Sequence, residues 1–209
     1  MRAIVSQKID NRGFTLMELL VAMGIGTVIL AAIAGTFMTQ TRFYNAQEQI
    51  NEMQQNARAA MDLMTREVKL AGYKPRGTEV FVGVAYSTTE LRIRENLNGY
   101  LDNAAGGNAT INDSSDEHVV YTFDSANKRI RRAYGAVGAT QEVIANNIEA
   151  FTFDYLDSAG AATTTPANIR QVSLNITART AKPDPNFTTN GGYRTYILST
   201  VITPTNLAY

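Results

Sequence analysis

Hydrophobic and polar positions divide the chain into four stretches of different character. Residues 1–13, MRAIVSQKIDNRG, are polar and basic, with Arg2, Lys8 and Arg12 against Asp10. Phe14 to Met38 is an apolar run of 25 residues whose one charged member is Glu18. As a helix rising about 1.5 Å per residue it reaches roughly 37 Å, enough to cross a bilayer core. From Gln40 to Tyr73 polar residues return, but apolar ones keep a helical interval. Phe43, Ala46, Ile50, Met53, Ala57, Ala60, Met64, Val68 and Ala71 recur every three or four positions. That is the stripe of an amphipathic helix. No proline interrupts Phe14 to Lys74, and Gly72, Pro75 and Gly77 then mark a stop. The spacing predicts one continuous helix from Phe14 to about Gly72, close to 90 Å long.

After Pro75 the period changes to short runs separated by turns, the pattern of strands. The expected strands are Val80–Tyr86, Leu91–Arg94, His118–Phe123, Lys128–Tyr134, Ala150–Tyr155, Ile169–Ala178 and Tyr193–Thr203. Phe151, Phe153 and Tyr155 fall on one face, as do Val172, Leu174 and Ile176. Such alternation predicts an antiparallel sheet with one covered face, and the long helix is the available cover. Glu95–Glu117, rich in Asn, Gly and Asp, and Ala159–Asn168, rich in Ala and Thr, read as exposed loops. One helix followed by strands gives an α+β class. The expected organisation is a basic leader (1–13), an apolar helix (14–38), its amphipathic continuation (39–73) and a β-rich head (74–209). About four heptads in the second helical stretch also suit a homomeric coiled coil, but the strands that follow need a surface to pack on.

Composition narrows the chemistry. There is no cysteine, which removes disulfides and thiolate metal ligands, and His118 is the sole histidine. Formal net charge is zero, so no field of the whole molecule draws nucleic acid. The basic flank of the apolar run orients residues 1–13 to the cytoplasm and the remainder outside. Hydropathy alone leaves an uncleaved signal anchor open.

Glu18 changes that picture. A carboxylate near the start of an apolar helix costs on the order of 2–3 kcal/mol to insert. No basic residue lies within the same run, so its partner has to be another chain or a new terminus. Gly13-Phe14-Thr15-Leu16 followed by Glu18-Leu19-Leu20-Val21, behind a basic leader, resembles the processing site of type IV prepilins and type II secretion pseudopilins. The resemblance implies cleavage by a membrane prepilin peptidase after Gly13 and N-methylation of Phe14. It further implies that Glu18 pairs with the terminal amine of a neighbouring subunit. An amine and a carboxylate buried together offset one another's desolvation.

Gln54–Tyr73, QQNARAAMDLMTREVKLAGY, is also similar to the corresponding segment of minor pilins of the PilW type and, more loosely, of J-type pseudopilins. There a long helix closes on a pair like Arg66-Glu67 and an ending like Ala71-Gly72-Tyr73. The runs Ile144–Gly160, Ile169–Arg179 and Tyr193–Asn206 resemble the late strands of the same family. This chain lacks the cysteine pair of many major pilins, and Gly35 stands near the place where many carry a proline. Both departures fit a minor pilin or pseudopilin better than a major pilin.

The resemblance therefore implies a non-enzymatic minor pilin, without cofactor, that primes a type IV pilus and is incorporated into it. Its implied partners are the prepilin peptidase, other minor and major pilins, the inner-membrane assembly platform and, before assembly, the lipid bilayer. Its implied location is the inner membrane, head in the periplasm, and then the extracellular filament. The alternatives are a pseudopilin of a type II secretion system and an adhesin or DNA-binding module displayed on the filament.

Other residues offer less. Asp113, Asp116 and Glu117 could supply oxygen ligands to calcium, though acidic loop clusters are usually solvated. Asp154 and Asp157 are close in sequence but fall on opposite strand faces, against a paired-carboxylate hydrolase. Arg129, Arg131 and Arg132 form the densest basic cluster and have the chemistry to meet DNA phosphate or another subunit's acids. Strand arginines of this kind more often face water or guard an edge. Asn108, Asn175 and Asn186 open glycosylation-type triplets of a kind that arises by chance in Asn/Thr-rich chains.

Overall fold

The structure, a computed structural model, describes residues 13–75, 81–97, 117–135 and 140–207. A single helix, α1 (Leu16–Leu70), follows the predicted periodicity for 55 residues. It ends where glycine allows it to. Ala71 N–H donates to the Val68 carbonyl at 3.1 Å and Tyr73 N–H to that of Leu70 at 2.9 Å. Gly72 sits at φ +77°, the left-handed conformation that closes helices without a Cβ penalty.

By contacts the chain divides into two compact units, the first ending at Gln47 and the second beginning at Glu48. From Leu16 on, the first unit is helix with its large apolar side chains in the open. Among these are Phe14, Leu16, Met17, Ile25, Val28, Leu30, Ile33 and Phe37, each more than half exposed. The hydroxyls here bond back into the helix: Thr27 to the Gly24 carbonyl at 2.8 Å and Thr36 to that of Ala32 at 3.0 Å. Such bonds satisfy these two threonine hydroxyls without water.

Among the described residues the second unit carries eight strands. β1 (Val84–Ala85), β2 (Glu90–Arg94), β3 (His118–Asp124), β4 (Arg129–Tyr134) and β5 (Gln141–Asn146) form an antiparallel sheet in chain order. β6 (Ile148–Leu156), β7 (Gln171–Arg179) and β8 (Thr195–Ile202) form a second antiparallel sheet. Met53, Ala57, Met64 and Val68 of α1 share one core with Leu91, Ile93, Tyr121 and Ile130 of the first sheet. Val172, Leu174 and Ile176, fully buried on alternate positions of β7, bring the second sheet into the same core. Each such side chain contributes about 1.5–3 kcal/mol by leaving water.

The α+β class and the helix-on-antiparallel-sheet arrangement are as the pattern predicts. Four details differ. The strands make two sheets where one was expected, because Asn147, at φ +57°, turns the chain between β5 and β6. β5 was not among the expected strands; its first three residues are exposed, so it has no alternation to read. The first strand shrinks to Val84–Ala85, since Gly83 is spent on a backbone contact with the end of α1. A Cβ on Gly83 would lie 2.3 Å from Gly72 N and 2.6 Å from its Cα. Finally, the helical stripe meets the core only from Ile50 onward; Phe43 is exposed.

Candidate functional site

At the N-terminal end the sequence builds a capped helix start. Thr15 precedes α1 and Glu18 stands three residues on, the spacing of a capping box. Glu18 N–H donates to Thr15 Oγ1 at 3.2 Å. The Glu18 carboxylate accepts in return from Thr15 N–H at 2.8 Å and from the Thr15 hydroxyl at 2.9 Å. One carboxylate oxygen, Oε2, takes both bonds, so the chain itself orients the acid toward the N-terminal end of the helix.

Phe14, immediately before this cap, is 92% exposed. Gly13 is exposed as well, and a Cβ built on it meets nothing within 4 Å. Its φ lies outside the left-handed region. Neither packing nor backbone conformation of the described chain calls for glycine at this position.

A second polar cluster lies at the opposite end of α1. Glu67, in the last turn, is buried, and its carboxylate pairs with the Arg132 guanidinium of β4 and accepts the Tyr121 hydroxyl of β3. Arg132 also donates to the Tyr134 hydroxyl, with its guanidinium 3.8 Å from the Tyr134 ring centre. Burial, then the adjacent Glu67 charge, holds the Tyr121 phenol well above its usual range. This cluster joins helix to sheet; the sequence marked Glu67 only as part of the Arg66-Glu67 pair near the helix end.

The remaining candidates are dispersed. Asp113 and Asp116 lie outside the described residues, while Glu117 is buried and its Oε1 accepts Leu97 N–H at 2.9 Å. Of the arginine cluster, Arg132 is turned inward to Glu67 and Arg131 pairs with Asp124 at 2.7 Å. Two of the three guanidiniums are thus engaged within the chain, with Asp124 and Glu67. Asp154 lies on β6, whereas Asp157 caps a turn, accepting Ala159 and Ala161 N–H at 2.8 and 2.9 Å. They do not converge. Asn108 is outside the described residues, Asn175 lies within β7 and Asn186 is exposed.

Comparison with known proteins bears on the first cluster. Residues 9–34 match the family described as the prokaryotic N-terminal methylation motif. This chain carries the methylation motif of type IV pilin-like proteins. The matched stretch includes Gly13, Phe14, Thr15 and Glu18, and so the capped helix start lies inside the motif. Among solved structures, a type IV-like pilin from Thermus thermophilus is similar over 74% of this chain and 97% of its own, at 14% identity and a TM-score of 0.44. The comparison with curated proteins returned no match.

Proposed function

We propose that this chain is a minor pilin, held in the inner membrane by the first half of α1 and then drawn into a type IV pilus. The observation that carries the reading is the methylation motif over residues 9–34, seated on a helix whose apolar side chains are exposed. The helix has an apolar stretch near the N-terminus, long enough to cross a membrane.

In this reading the prepilin peptidase cuts after Gly13 and Phe14 is N-methylated. The glycine that the fold does not need is then a requirement of the peptidase. Cleavage leaves a cationic amine one residue before Thr15. Inside an apolar filament core, that amine and the Glu18 carboxylate of a neighbouring subunit neutralise one another. The bonds from Thr15 keep the carboxylate aimed toward the helix start and leave Oε1 available. The second unit, with its own core, remains outside the membrane, in the periplasm, as the head. Its proposed partners are other pilins and the inner-membrane assembly platform, and its proposed task is to prime assembly.

A clean deletion of the gene tests the role. Loss of sheared surface pili with normal protein secretion supports the minor-pilin assignment. Normal pili with exported proteins trapped in the periplasm overturns it in favour of a type II secretion pseudopilin.

A further inference from the structure

A groove of about 370 Å³ opens in the second unit between α1, the β5–β6 turn and the end of β7. Its walls are rich in side-chain amides: Gln49, Gln55 and Asn56 from the helix, and Asn146 and Asn147 from the turn. Two contacts hold the walls in place. Asn56 Nδ2 donates to the Asn146 carbonyl at 2.6 Å, and Lys182 N–H donates to Gln49 Oε1 at 3.0 Å. Arg179 N–H donates to the Asn147 carbonyl at 2.8 Å, which ties the third wall to the turn.

The side chains of Gln55, Asn146 and Asn147 take no hydrogen-bond partner among the described residues. Arg179 also lines the groove and keeps a buried Nε–H without an acceptor, although its Nη1 reaches Glu149 at 3.2 Å. Buried donors of this kind are costly unless something arrives to satisfy them. The framework is therefore fixed by Gln49, Asn56 and Arg179, whose guanidinium also lies 4.4 Å from the Tyr193 ring centre, while the amides of Gln55, Asn146 and Asn147 are available.

We propose that this groove binds an extended, uncharged segment of polypeptide from a neighbouring filament subunit. The chemistry selects that ligand. Each Asn or Gln amide offers a donor and an acceptor side by side, the complement of a peptide group. Glu52 and Arg179, the two charged residues of the lining, are of opposite sign, so a polyanion finds no net attraction. No lining residue is aromatic, so a sugar ring or a nucleobase finds no surface to stack on. The volume lies at the lower end of the range for small-molecule clefts, suited to a few residues of main chain. That the segment comes from a filament subunit rests on the pilin reading above; that the groove holds polypeptide does not.

The absence of cysteine makes the test direct. The full-length chain with Ala181→Cys, at the groove, is labelled with benzophenone maleimide in intact cells and irradiated. A matching Thr152→Cys chain, labelled on the exposed face of β6, is the control. The expected result is an Ala181→Cys adduct to one defined segment of another pilin, mapped by mass spectrometry and absent from the control. Adding Gln55→Ala and Asn146→Ala should lower its yield by about tenfold with no change in thermal unfolding, since both side chains are exposed and unpartnered. No adduct, equal adducts at both positions, adducts to glycan or lipid alone, or a yield unmoved by the double substitution would each overturn the proposal. A mapped segment from an envelope protein in cells whose sheared filaments lack this chain would keep the groove and overturn the filament reading.

Discussion

Glu67 and Arg132, 65 residues apart in sequence, meet as a buried ion pair that joins the long helix to the central strand region of the first sheet. Both are less than a tenth exposed, and Arg132 Nε lies 3.3 Å from Glu67 Oε2. Each carboxylate oxygen is occupied, one by the guanidinium alone and the other by guanidinium and Tyr121 hydroxyl. Removing one partner leaves the other charged in a dry environment. Glu67→Ala should therefore cost about 3–5 kcal/mol. Replacing both with methionine should restore part of that loss, because no unpaired charge remains and only the buried Tyr121 hydroxyl is left without its acceptor. Denaturant unfolding of the two variants beside the native chain checks the difference. Equal destabilisation by single and double variants would show that the site needs the ion pair itself.

The contact between Gly83 and Gly72 gives a sharper steric prediction. A methyl group at 83 would overlap backbone atoms of 72 and 71, at 2.3 to 2.9 Å, and backbone cannot rotate aside. Gly83→Ala should destabilise the second unit by about 3 kcal/mol, read as a lowered unfolding midpoint. Gly26→Ala, inside α1 where a Cβ meets nothing within 4 Å, is the steric contrast: it should not destabilise the chain and should favour the helix by up to about 1 kcal/mol.

Alkaline pH should loosen the same core. Burial pushes the Tyr155 phenol up to about 12, and burial with the Glu67 charge raises Tyr121 as well. The folded state holds these protons more tightly than the unfolded state, whose tyrosines ionise near 10. The contribution is thus complete below about pH 10 and is lost as pH rises from about 10 through 12. Unfolding midpoints measured across that window should fall, and Tyr155→Phe should flatten the slope.

Glu18→Ala should leave peptidase processing and membrane retention intact but deny the neighbour's amine its carboxylate. An unpaired amine in an apolar core costs about 3 kcal/mol or more, so entry into sheared filaments should drop by about a hundredfold. Quantitative immunoblots of cell and filament fractions measure it, and undiminished incorporation would remove the pairing role.

How much of this was legible in the sequence depends on the range of each interaction. The period of Ile50, Met53, Ala57, Ala60, Met64 and Val68 is local, and it gave both the helix and its buried face. Alternation likewise gave β6 and β7, where the rings of Phe151 and Phe153 meet tilted at 5.5 Å and those of Phe153 and Tyr155 edge-on at 5.8 Å. The division into two sheets was not legible, because it depends on one left-handed residue, Asn147, and on pairings distant in sequence. Nor could a strand such as β5, exposed along half its length, announce itself through hydrophobic pattern. The Glu67 partner was hidden for the same reason: the helical pattern places Glu67 on a polar face, and its arginine lies 65 residues away. At the N-terminus the motif was visible, whereas the reciprocal bonding of Thr15 and Glu18 required coordinates.

The processed terminus tests the central claim most directly. Intact mass and N-terminal sequencing of the chain purified from membranes and sheared filaments should find N-methyl-Phe14 as the first residue. A chain that begins at Met1, or anywhere other than residue 14, would contradict the assignment of this protein to the prepilin pathway.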